Sequence, residues 1–345
     1  MNSKKKPFWL TFKNAAPFAT DDVRTMFKSG DDLRQDQLTL QVMKVMEHLW
    51  RKAGIDMRMR CYGVLPTGLN QGFIEIVPNA KTEGALQQER GSISGAFDKT
   101  ILREYLKQYN TNIEAYKLAR TNFKLSSAGY AVATCVLGIA DRHPDNIMVQ
   151  QDGHFLHIDF GHFLGNFKKK LGYQREGAPF HYSPACDFVI NGDTKKKDKK
   201  EKKEKKEKKD QSDKVDKSEN PDKVEKTESP EKLEKTEKIE KKEKYDEEDQ
   251  DVTADGFGTF EELCGNALNV LRKNANLLVT LFLLMLGTGI PELQQPKDII
   301  YLTEKLFLGM TDEEAAKEME KLIQLSLDSG KTKFNNICHN IKIKG

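Results

Sequence analysis

The chain has 345 residues, 37% of them hydrophobic, a length that suits one large or two modest domains. Its 56 basic and 53 acidic residues leave a net charge of +3, so overall charge predicts no nucleic-acid partner. The five cysteines form no CxxC pair, which excludes a disulfide framework and a cysteine zinc site and favours an intracellular compartment. No long apolar run follows the basic N-terminus, so we expect no secretory signal.

The first region of the chain mixes short strands with one helix. The strand-like runs are PFWLTF (7–12), MRCYGVL (59–65) and GFIEIV (72–77). The helix is expected to begin near Asp31 and Asp32, whose carboxylates can cap its first amides. Its apolar residues recur at helical spacing and should face a core: Leu38, Val42, Val45, Met46 and Leu49.

The second region is expected to begin with helices and to end with a hairpin. The three predicted helices are FDKTILREYLKQY (97–109), IEAYKLARTNF (113–123) and SSAGYAVATCVLGIA (126–140). The runs NIMV and HFLHIDF then flank the turn QQDG, which predicts two antiparallel strands.

Residues 194–250 form a Lys/Glu tract, with 21 lysines and 20 acidic residues in 57 positions. Such a segment buries too little apolar surface to offset its ordering entropy, so we expect a disordered insertion in a surface loop. A partly helical segment built on Glu–Lys pairs four residues apart is the alternative. The interleaved acids favour a spacer over a lipid-binding arm.

Residues 257–345 are predicted to be helical, with PELQQPKD (291–298) as a break. The most apolar run, NLLVTLFLLML (276–286), is too short to span a bilayer and is typical of a buried helix. A small, strand-rich first part and a larger helical part predict a two-lobed protein, in which a ligand would occupy the cleft between the lobes.

Candidate catalytic residues are concentrated in residues 138–161. Asn146 and Asp159 carry oxygen ligands that suit Mg²⁺, and Asp159 begins a DFG sequence directly after a predicted strand. Asp141-Arg142-His143 has the composition of the kinase HRD tripeptide in reverse order, and Asp141 lies five positions before Asn146. Each piece alone is a weak signal, but together and in this order they predict phosphoryl transfer.

The chain resembles the phosphoinositide 3-kinase catalytic domain, most closely the class I enzymes. The resemblance covers nearly the whole chain except the Lys/Glu tract. It runs through GDDLRQD (30–36), YG (62–63), GFIEIV (72–77), AGYAVATCVLGIADRHPDNIMV (128–149), HIDFGHFLGNFKKKLGY (157–173) and ANLLVTLFLLMLGTGIPEL (275–293).

The implied fold is α+β and two-lobed like a protein kinase, with a small antiparallel-sheet N-lobe and a larger, mainly helical C-lobe. The expected divisions are a partial N-lobe with hinge (1–78), a C-lobe part with the catalytic and activation loops (79–193), the insertion (194–250), and the C-lobe helices with a membrane-facing terminal helix (251–345). Because the match starts at the phosphate-binding loop, we expect the N-lobe to be truncated.

The resemblance also implies an ATP site. Asn2, Ser3 and Lys5 match the phosphate-binding loop, and Lys28 matches the lysine that contacts the ATP phosphates. Asp36 and Tyr62 match residues of the inner pocket, where Asp36 would hold Lys28. The hinge that pairs with adenine would use Glu75 and Val77.

For the reaction centre, the resemblance implies Mg²⁺ bound by Asn146 and Asp159. His143, supported by Asp141, is the favoured group for activating the inositol 3-hydroxyl, although which of the two takes the proton stays open. His162, directly after DFG, would face the γ-phosphate or the lipid.

Substrate choice is assigned by resemblance to the activation segment. Lys168, Lys169 and Lys170 match the basic box that contacts the 4- and 5-phosphates of the headgroup, and Arg175 would add to it. The Lys-Arg pair usual in the family is Gln174-Arg175 here, which leaves the preference for a bisphosphate open.

We therefore expect an ATP- and Mg²⁺-dependent lipid kinase that phosphorylates the 3-hydroxyl of phosphoinositides, with phosphatidylinositol 4,5-bisphosphate favoured. The alternatives are a 3-kinase for unphosphorylated phosphatidylinositol and a non-catalytic fragment that binds lipid or partners.

The implied partners are a membrane phosphoinositide and, through upstream domains, a regulatory subunit or a small GTPase. The expected location is cytoplasmic, with recruitment to the inner face of the plasma membrane or to endomembranes. The C-terminal segment TKFNNICHNIKIKG (332–345) fits a basic amphipathic membrane helix and, equally, a helix that packs on the lobe.

Overall fold

A computed structural model describes residues 7–18, 21–166, 169–170, 173–174, 178–192 and 256–344. The chain divides into two compact units, Met1–Val189 with Phe257–Gly345, and Ile190–Gly256. The expected insertion at 194–250 lies outside the described residues. The fold described below is that of the first unit.

The N-lobe is built on a four-stranded antiparallel sheet in the order β1-β2-β4-β3. Strand β2 was not among the predicted runs, although it pairs with β1 over residues 23–27 and with β4 over residues 25–29. A bulge between Pro66 and Gly68 shifts the register of β3 against β4. The strands are β1 (Phe8–Phe12), β2 (Val23–Ser29), β3 (Val64–Gly68) and β4 (Gln71–Glu75).

The single N-lobe helix, α1 (Arg34–Lys52), carries one buried face as predicted. Four of the five expected residues are buried, and Val45 is half-buried. The buried Trp50 donates its indole N–H to the Ala267 carbonyl (2.9 Å) and so joins the helix to the C-lobe. The N-cap residue is Leu33, which offers no side-chain cap, and the Asp32 carboxylate accepts the amide of Arg34, the first helical residue (3.1 Å), as predicted.

The C-lobe begins with a short strand that joins the predicted hairpin. Strand β5 (Ala80–Thr82) pairs antiparallel with β6 (Ile147–Gln150), which pairs antiparallel with β7 (Phe155–His157). Ile147 lies opposite His157, which confirms the hairpin. Three helices follow β5: α2 (Glu83–Glu89), α3 (Ser92–Ala96) and α4 (Ile101–Tyr109).

The centre of the C-lobe is helix α5 (Ile113–Leu137), a continuous helix where two were expected. Every residue from Asn122 to Leu137 is buried, so the helix is surrounded by other elements rather than packed on one face. It ends at Gly138, whose φ of 58° is the left-handed conformation typical of a helix C-terminus.

The remaining described elements are two short strands and a set of helices. β8 (Lys169–Lys170) pairs with β9 (Tyr173–Gln174). The helices are α6 (Pro184–Asn191), α7 (Phe260–Lys273), α8 (Ala275–Leu284), α9 (Ile300–Lys305) and α10 (Asp312–Lys344), with short 3₁₀ turns at Pro144–Asn146 and Pro296–Ile299.

Helix α8 departs from the expectation of a buried helix. Leu278 and Phe282 are buried, but Leu277, Leu283 and Leu284 are exposed, the last to 72%. Taken one at a time, the helices of the described ranges are too short or too polar to cross a bilayer. The pair α7 and α8 passes the length and composition test together, with a bend of 64° between them.

The α+β, two-lobed, kinase-like fold is thus confirmed. An antiparallel sheet with one helix stands before a mainly helical lobe, and the hairpin lies at the start of that lobe.

Candidate active site

The predicted catalytic loop leaves α5 and folds into a tight turn. Asp141 has a positive φ of 58°, a conformation that aspartate tolerates better than most residues. Its carbonyl accepts the His143 amide (3.2 Å) and the Asn146 side-chain N–H (3.0 Å). The Asn146 amide donates in turn to the His143 carbonyl (2.9 Å). This turn brings Asp141, His143 and Asn146 together, with His143 exposed.

The predicted metal-binding loop lies beside this turn because of the hairpin. Asn146 immediately precedes β6, and Asp159 follows β7 by two positions. The Ile158 amide donates to the Asn146 carbonyl (3.0 Å), which continues the ladder beyond the strands. Asp159 also has a positive φ, 61°, and its side chain is exposed. The two proposed metal ligands therefore lie at the same open end of one hairpin.

Arg142 joins the two loops, a role that the sequence did not reveal. Its guanidinium donates to the carbonyls of Ala140 (2.9 Å), Ile158 (2.8 Å) and Asp159. It also lies over the Phe160 ring, 5.7 Å from the centroid. A planar group with several fixed donors can bridge three carbonyls in this way, and a lysine ammonium cannot match the pattern.

The stretch that carries these residues is closed at its base by backbone hydrogen bonds. The Leu164 amide donates to the Leu137 carbonyl (2.7 Å), and the Gly165 amide donates to the Gly138 carbonyl (3.2 Å). One step further in, the Ala140 amide donates to the His162 carbonyl (3.1 Å). The two ends of segment 138–165 are thus hydrogen-bonded to each other, and the residues between them in sequence carry the predicted catalytic side chains.

The N-lobe holds the DFG sequence from the other side. The Phe160 amide donates to the Asp36 carboxylate (2.9 Å), and the Gln35 side-chain amide donates to the Phe160 carbonyl (3.0 Å). The Tyr62 hydroxyl accepts the Asp159 amide (3.3 Å). Burial raises the pKa of Asp36 to about 6. Asp36 and Tyr62 therefore position the loop that is predicted to bind the metal.

Lys28 lies on β2, with its side chain near the site. The prediction that Asp36 holds it was wrong as to the direct partner, because the Lys28 ammonium pairs with Asp31 (2.7 Å). Burial lowers the pKa of Lys28, but the Asp31 hydrogen bond and the charges of Asp159 and Asp36 outweigh it and leave the pKa above its ordinary value. Its ammonium is therefore within electrostatic reach of the predicted metal ligand.

Glu292, which follows α8, is a second residue whose role the sequence did not reveal. Its carboxylate contacts the His162 Nδ1 (2.7 Å) and accepts the Phe163 amide (2.7 Å). It also accepts the Gln35 side-chain amide (3.3 Å). Glu292 belongs to the quoted GIPEL motif, but nothing near it in sequence indicates a partner 130 positions away.

The expected hinge leads from β4 into the C-lobe. Glu75 is occupied within the N-lobe, since its amide donates to the Gly63 carbonyl (2.8 Å) and its carboxylate accepts the Gly63 amide (2.6 Å). Within the described ranges, no hydrogen bond uses the amide or the carbonyl of Val77. The pairing of the Val77 backbone with adenine stays a prediction.

Several predicted residues cannot be placed. Asn2, Ser3, Lys5, Lys168 and Arg175 lie outside the described residues. The backbones of Lys169 and Lys170 form β8.

The donor set at the hairpin end fits Mg²⁺. The Asn146 side chain uses its N–H₂ toward Asp141, which leaves its amide oxygen for a cation. In the described part of the chain, the Asp159 carboxylate has no hydrogen bond or ion pair. Clusters of three or more His, Cys, Asp or Glu side chains are absent from the same ranges. Mg²⁺ can be held by one or two protein ligands when phosphates and water complete its shell.

Comparison with known proteins decides the family. A model of the family described as phosphatidylinositol 3- and 4-kinase matches residues 22–206, more than half of the chain. The chain belongs to this family. The family is one of kinases, so the predicted resemblance is confirmed.

Individual relatives agree with this assignment. Phosphatidylinositol 3-kinase 3 of Dictyostelium discoideum is 40% identical over 339 residues, which cover 98% of this chain and 16% of the relative. The C2 domain-containing beta subunit of human phosphatidylinositol 4-phosphate 3-kinase is 34% identical over 340 residues, 99% of this chain and 17% of the relative. The chain spans about a sixth of the length of these relatives.

Proposed function

We propose that this chain is the ATP- and Mg²⁺-dependent catalytic domain of a phosphatidylinositol 3-kinase. The observation that carries the proposal is the hairpin, which places Asn146 and Asp159 at one end beside the Asp141–His143 turn. The relatives are named 3-kinases, which supports the 3-hydroxyl as the acceptor.

The geometry supports a separate role for each group of site residues. Bound through Asn146 and Asp159, Mg²⁺ would neutralise charge on the ATP phosphates. Lys28 would add a positive charge to the phosphates after releasing Asp31, and Val77 would pair with adenine. The exposed His143, with Asp141 next to it, would orient the acceptor hydroxyl and take its proton.

The substrate we propose first is phosphatidylinositol 4,5-bisphosphate, because three consecutive lysines, 168–170, can pair with two phosphates. Phosphatidylinositol 4-phosphate is the second candidate. Two observations favour it: Gln174 replaces a basic residue, and two relatives are named for this lipid. Acting on either lipid requires the chain to reach a membrane surface from the cytoplasm, and we propose that location.

The direct test is a transfer assay with vesicles. The purified chain is incubated with labelled ATP, Mg²⁺ and vesicles that carry phosphatidylinositol, its 4-phosphate or its 4,5-bisphosphate, and the products are identified by position. We expect 3-phosphorylated product, most from the bisphosphate. Asp159→Asn is the inactive control, because asparagine tolerates the left-handed backbone at this position.

Three outcomes separate the alternatives. No product above the Asp159→Asn control on any lipid would favour a non-catalytic fragment and overturn the proposal. Product from unphosphorylated lipid alone would identify a phosphatidylinositol-only 3-kinase. Product mainly from the 4-phosphate would select the second candidate.

A lysine variant tests the headgroup site. Replacing Lys168, Lys169 and Lys170 by Gln should lower kcat/KM on the bisphosphate by roughly tenfold or more, with less effect on unphosphorylated lipid. The matched control neutralises three exposed helix lysines, Lys44, Lys52 and Lys317. Equal losses in both triple variants would mean that the effect is general membrane electrostatics.

A further inference from the structure

His162 is held from two sides by groups that are not part of the metal site. Its backbone carbonyl accepts the Ala140 amide (3.1 Å), directly before Asp141. Its ring Nδ1 lies 2.7 Å from the Glu292 carboxylate. With 31% of the side chain exposed, the ring is fixed in position but still open to a ligand.

The Glu292 carboxylate is itself held firmly, so its oxygens have defined roles. One oxygen accepts the Phe163 amide (2.7 Å) and the Gln35 side-chain amide (3.3 Å). The other oxygen faces His162. The loop before Glu292 is tied to α1 as well, because the Arg34 guanidinium donates to the carbonyls of Thr288 (2.9 Å) and Gly289 (3.1 Å).

A carboxylate can only accept hydrogen bonds, so the Nδ1 that faces it must carry the proton. In a neutral imidazole the other nitrogen, Nε2, then has a lone pair and no proton. Such a nitrogen can accept from a hydroxyl but cannot donate to a phosphate oxygen. The contact with Glu292 thus separates two roles for His162 that the sequence left open, contact with the lipid and contact with the γ-phosphate.

We propose that Glu292 is a positioning residue that fixes His162 with its proton on Nδ1, so that Nε2 accepts a hydrogen bond from a hydroxyl of the lipid headgroup other than the one that His143 deprotonates. This inference rests on the proposed function for the identity of the hydroxyl. It does not need that function for the state of the ring, which can be measured in the protein alone.

Glu292→Gln separates positioning from loop structure. The Phe163 amide and the Gln35 side-chain amide both donate, so the new amide oxygen must face them and both loop contacts survive. The amide N–H₂ is then directed at His162, whose Nδ1 must accept. The ring proton moves to Nε2, which becomes a donor.

The primary test is NMR of the imidazole nitrogens in histidine-labelled protein at alkaline pH, where a neutral imidazole shows one protonated and one unprotonated nitrogen. The seven histidines are distinguished by the signal lost in His162→Asn. We expect His162 protonated on Nδ1 in the native chain and on Nε2 in Glu292→Gln. Native His162 protonated on Nε2 or on both nitrogens, or an unchanged pattern in the variant, would overturn the proposal.

The second measurement is kinetic. Glu292→Gln should lower kcat by roughly tenfold or more and leave KM for ATP unchanged, since the change affects only the placement of the lipid headgroup. Glu304→Gln, at an exposed position on α9, is the charge-matched control and should have native kinetics.

The results that would contradict the proposed lipid-kinase function differ from those that would contradict the positioning role of Glu292. An inactive native chain with the expected Nδ1 proton, moved to Nε2 in Glu292→Gln, would contradict the proposed function and leave the positioning role of Glu292 intact. An active native chain with a fully active Glu292→Gln variant would contradict the role of Glu292.

Discussion

Arg142 shows how one side chain can set the geometry of a whole site. Its three acceptors are backbone carbonyls, one at the start of the predicted catalytic loop and two in the residues that directly follow β7. The guanidinium thereby fixes the separation of the loops that carry Asp141 and Asp159. Because phosphoryl transfer depends on placement more than on covalent chemistry, this separation should control the rate.

Arg142→Lys keeps the charge but cannot donate to all three carbonyls. We expect kcat to fall by roughly a hundredfold, as for misplacement of about 1 Å, and the free energy of unfolding to fall by about 2 kcal/mol. Lipid-kinase turnover and urea unfolding measure the two effects.

Arg51→Lys is the matched control, because Arg51 forms an exposed ion pair with Glu47 (2.9 Å) on α1. It should change neither quantity. If Arg142→Lys were as active as the native chain, the bridge would have no role in placing the loops.

At this scale the sequence identified residues that offer chemistry and missed residues that act through distant partners. Asp141, His143, Asn146 and Asp159 stand in a recognisable order, so the sequence predicts them as site residues, and the structure brings them together. Arg142 was overlooked because its acceptors are main-chain carbonyls, which every residue has.

Among the elements, α5 shows where local pattern was insufficient. The sequence predicted two helices here, one ending at Phe123 and the next beginning at Ser126. In the structure the Ser126 hydroxyl donates to the Asn122 carbonyl within the same helix, and the Lys124 ammonium donates to the Gly258 carbonyl. Polar groups satisfied in this way can be buried, so the helix continues.

The C-terminus of α5 is a demanding position. A Cβ on Gly138 would lie 2.4 Å from the Gly165 amide nitrogen and 2.5 Å from the Tyr301 ring, and φ is positive there. Gly54 also has a positive φ, 82°, but a Cβ added there would have no other atom within 4 Å.

Gly138→Ala should therefore lower the free energy of unfolding by about 3 kcal/mol or more, because backbone strain adds to a clash with main chain. Gly54→Ala should cost only about 1 kcal/mol, the strain alone. Urea unfolding of both variants gives the comparison. Equal losses would mean that the loop base yields to a methyl group.

The sheet shows the same limit of local pattern. Strands β1 and β4 were predicted from apolar runs, the run at 59–65 overlapped β3 only at Val64 and Leu65, and β2, which holds Lys28, was not predicted. Its identity depends on pairing with β1 and β4, which are distant from each other in sequence. The hairpin of β6 and β7 was predicted because its turn is local.

For the whole molecule, two buried histidines set the dependence of stability on pH. Burial holds the pKa of His157, stacked on Tyr130 at 5.2 Å, well below its ordinary value. Burial also acts against charge on His181, but Glu83, 2.9 Å away, outweighs it and raises the pKa of His181 to about 10.

The two shifts act in opposite directions. Below about pH 6.5 only the unfolded chain protonates His157, so stability falls with acid. The His181 contribution is complete below about pH 6.5 and declines as pH rises toward the folded pKa of about 10. Stability from this pair is therefore greatest near about pH 6.5.

Glu83→Gln removes the partner of the buried imidazolium. We expect the free energy of unfolding to fall by about 3 kcal/mol at neutral pH, and the difference from the native chain to shrink toward pH 10. Urea unfolding across a pH series measures this difference.

Glu89→Gln, on the same helix, removes an exposed pair with Lys81 (2.7 Å) and should have little effect at any pH. A constant gap between Glu83→Gln and the native chain would show that His181 is not charged in the folded protein.

The hydrogen bonds that join the two ends of segment 138–165 bear on whether the segment can be transplanted from a related protein. The backbones of Leu137 and Gly138 are hydrogen-bonded to those of Leu164 and Gly165. The two ends of the segment therefore lie side by side. The residues between these ends could be replaced by those of a relative without displacing either end, provided that the replacement keeps Arg142, Gly138 and Gly165. Partner contacts from Asp36, Tyr62 and Glu292 would then decide which grafts retain their alignment.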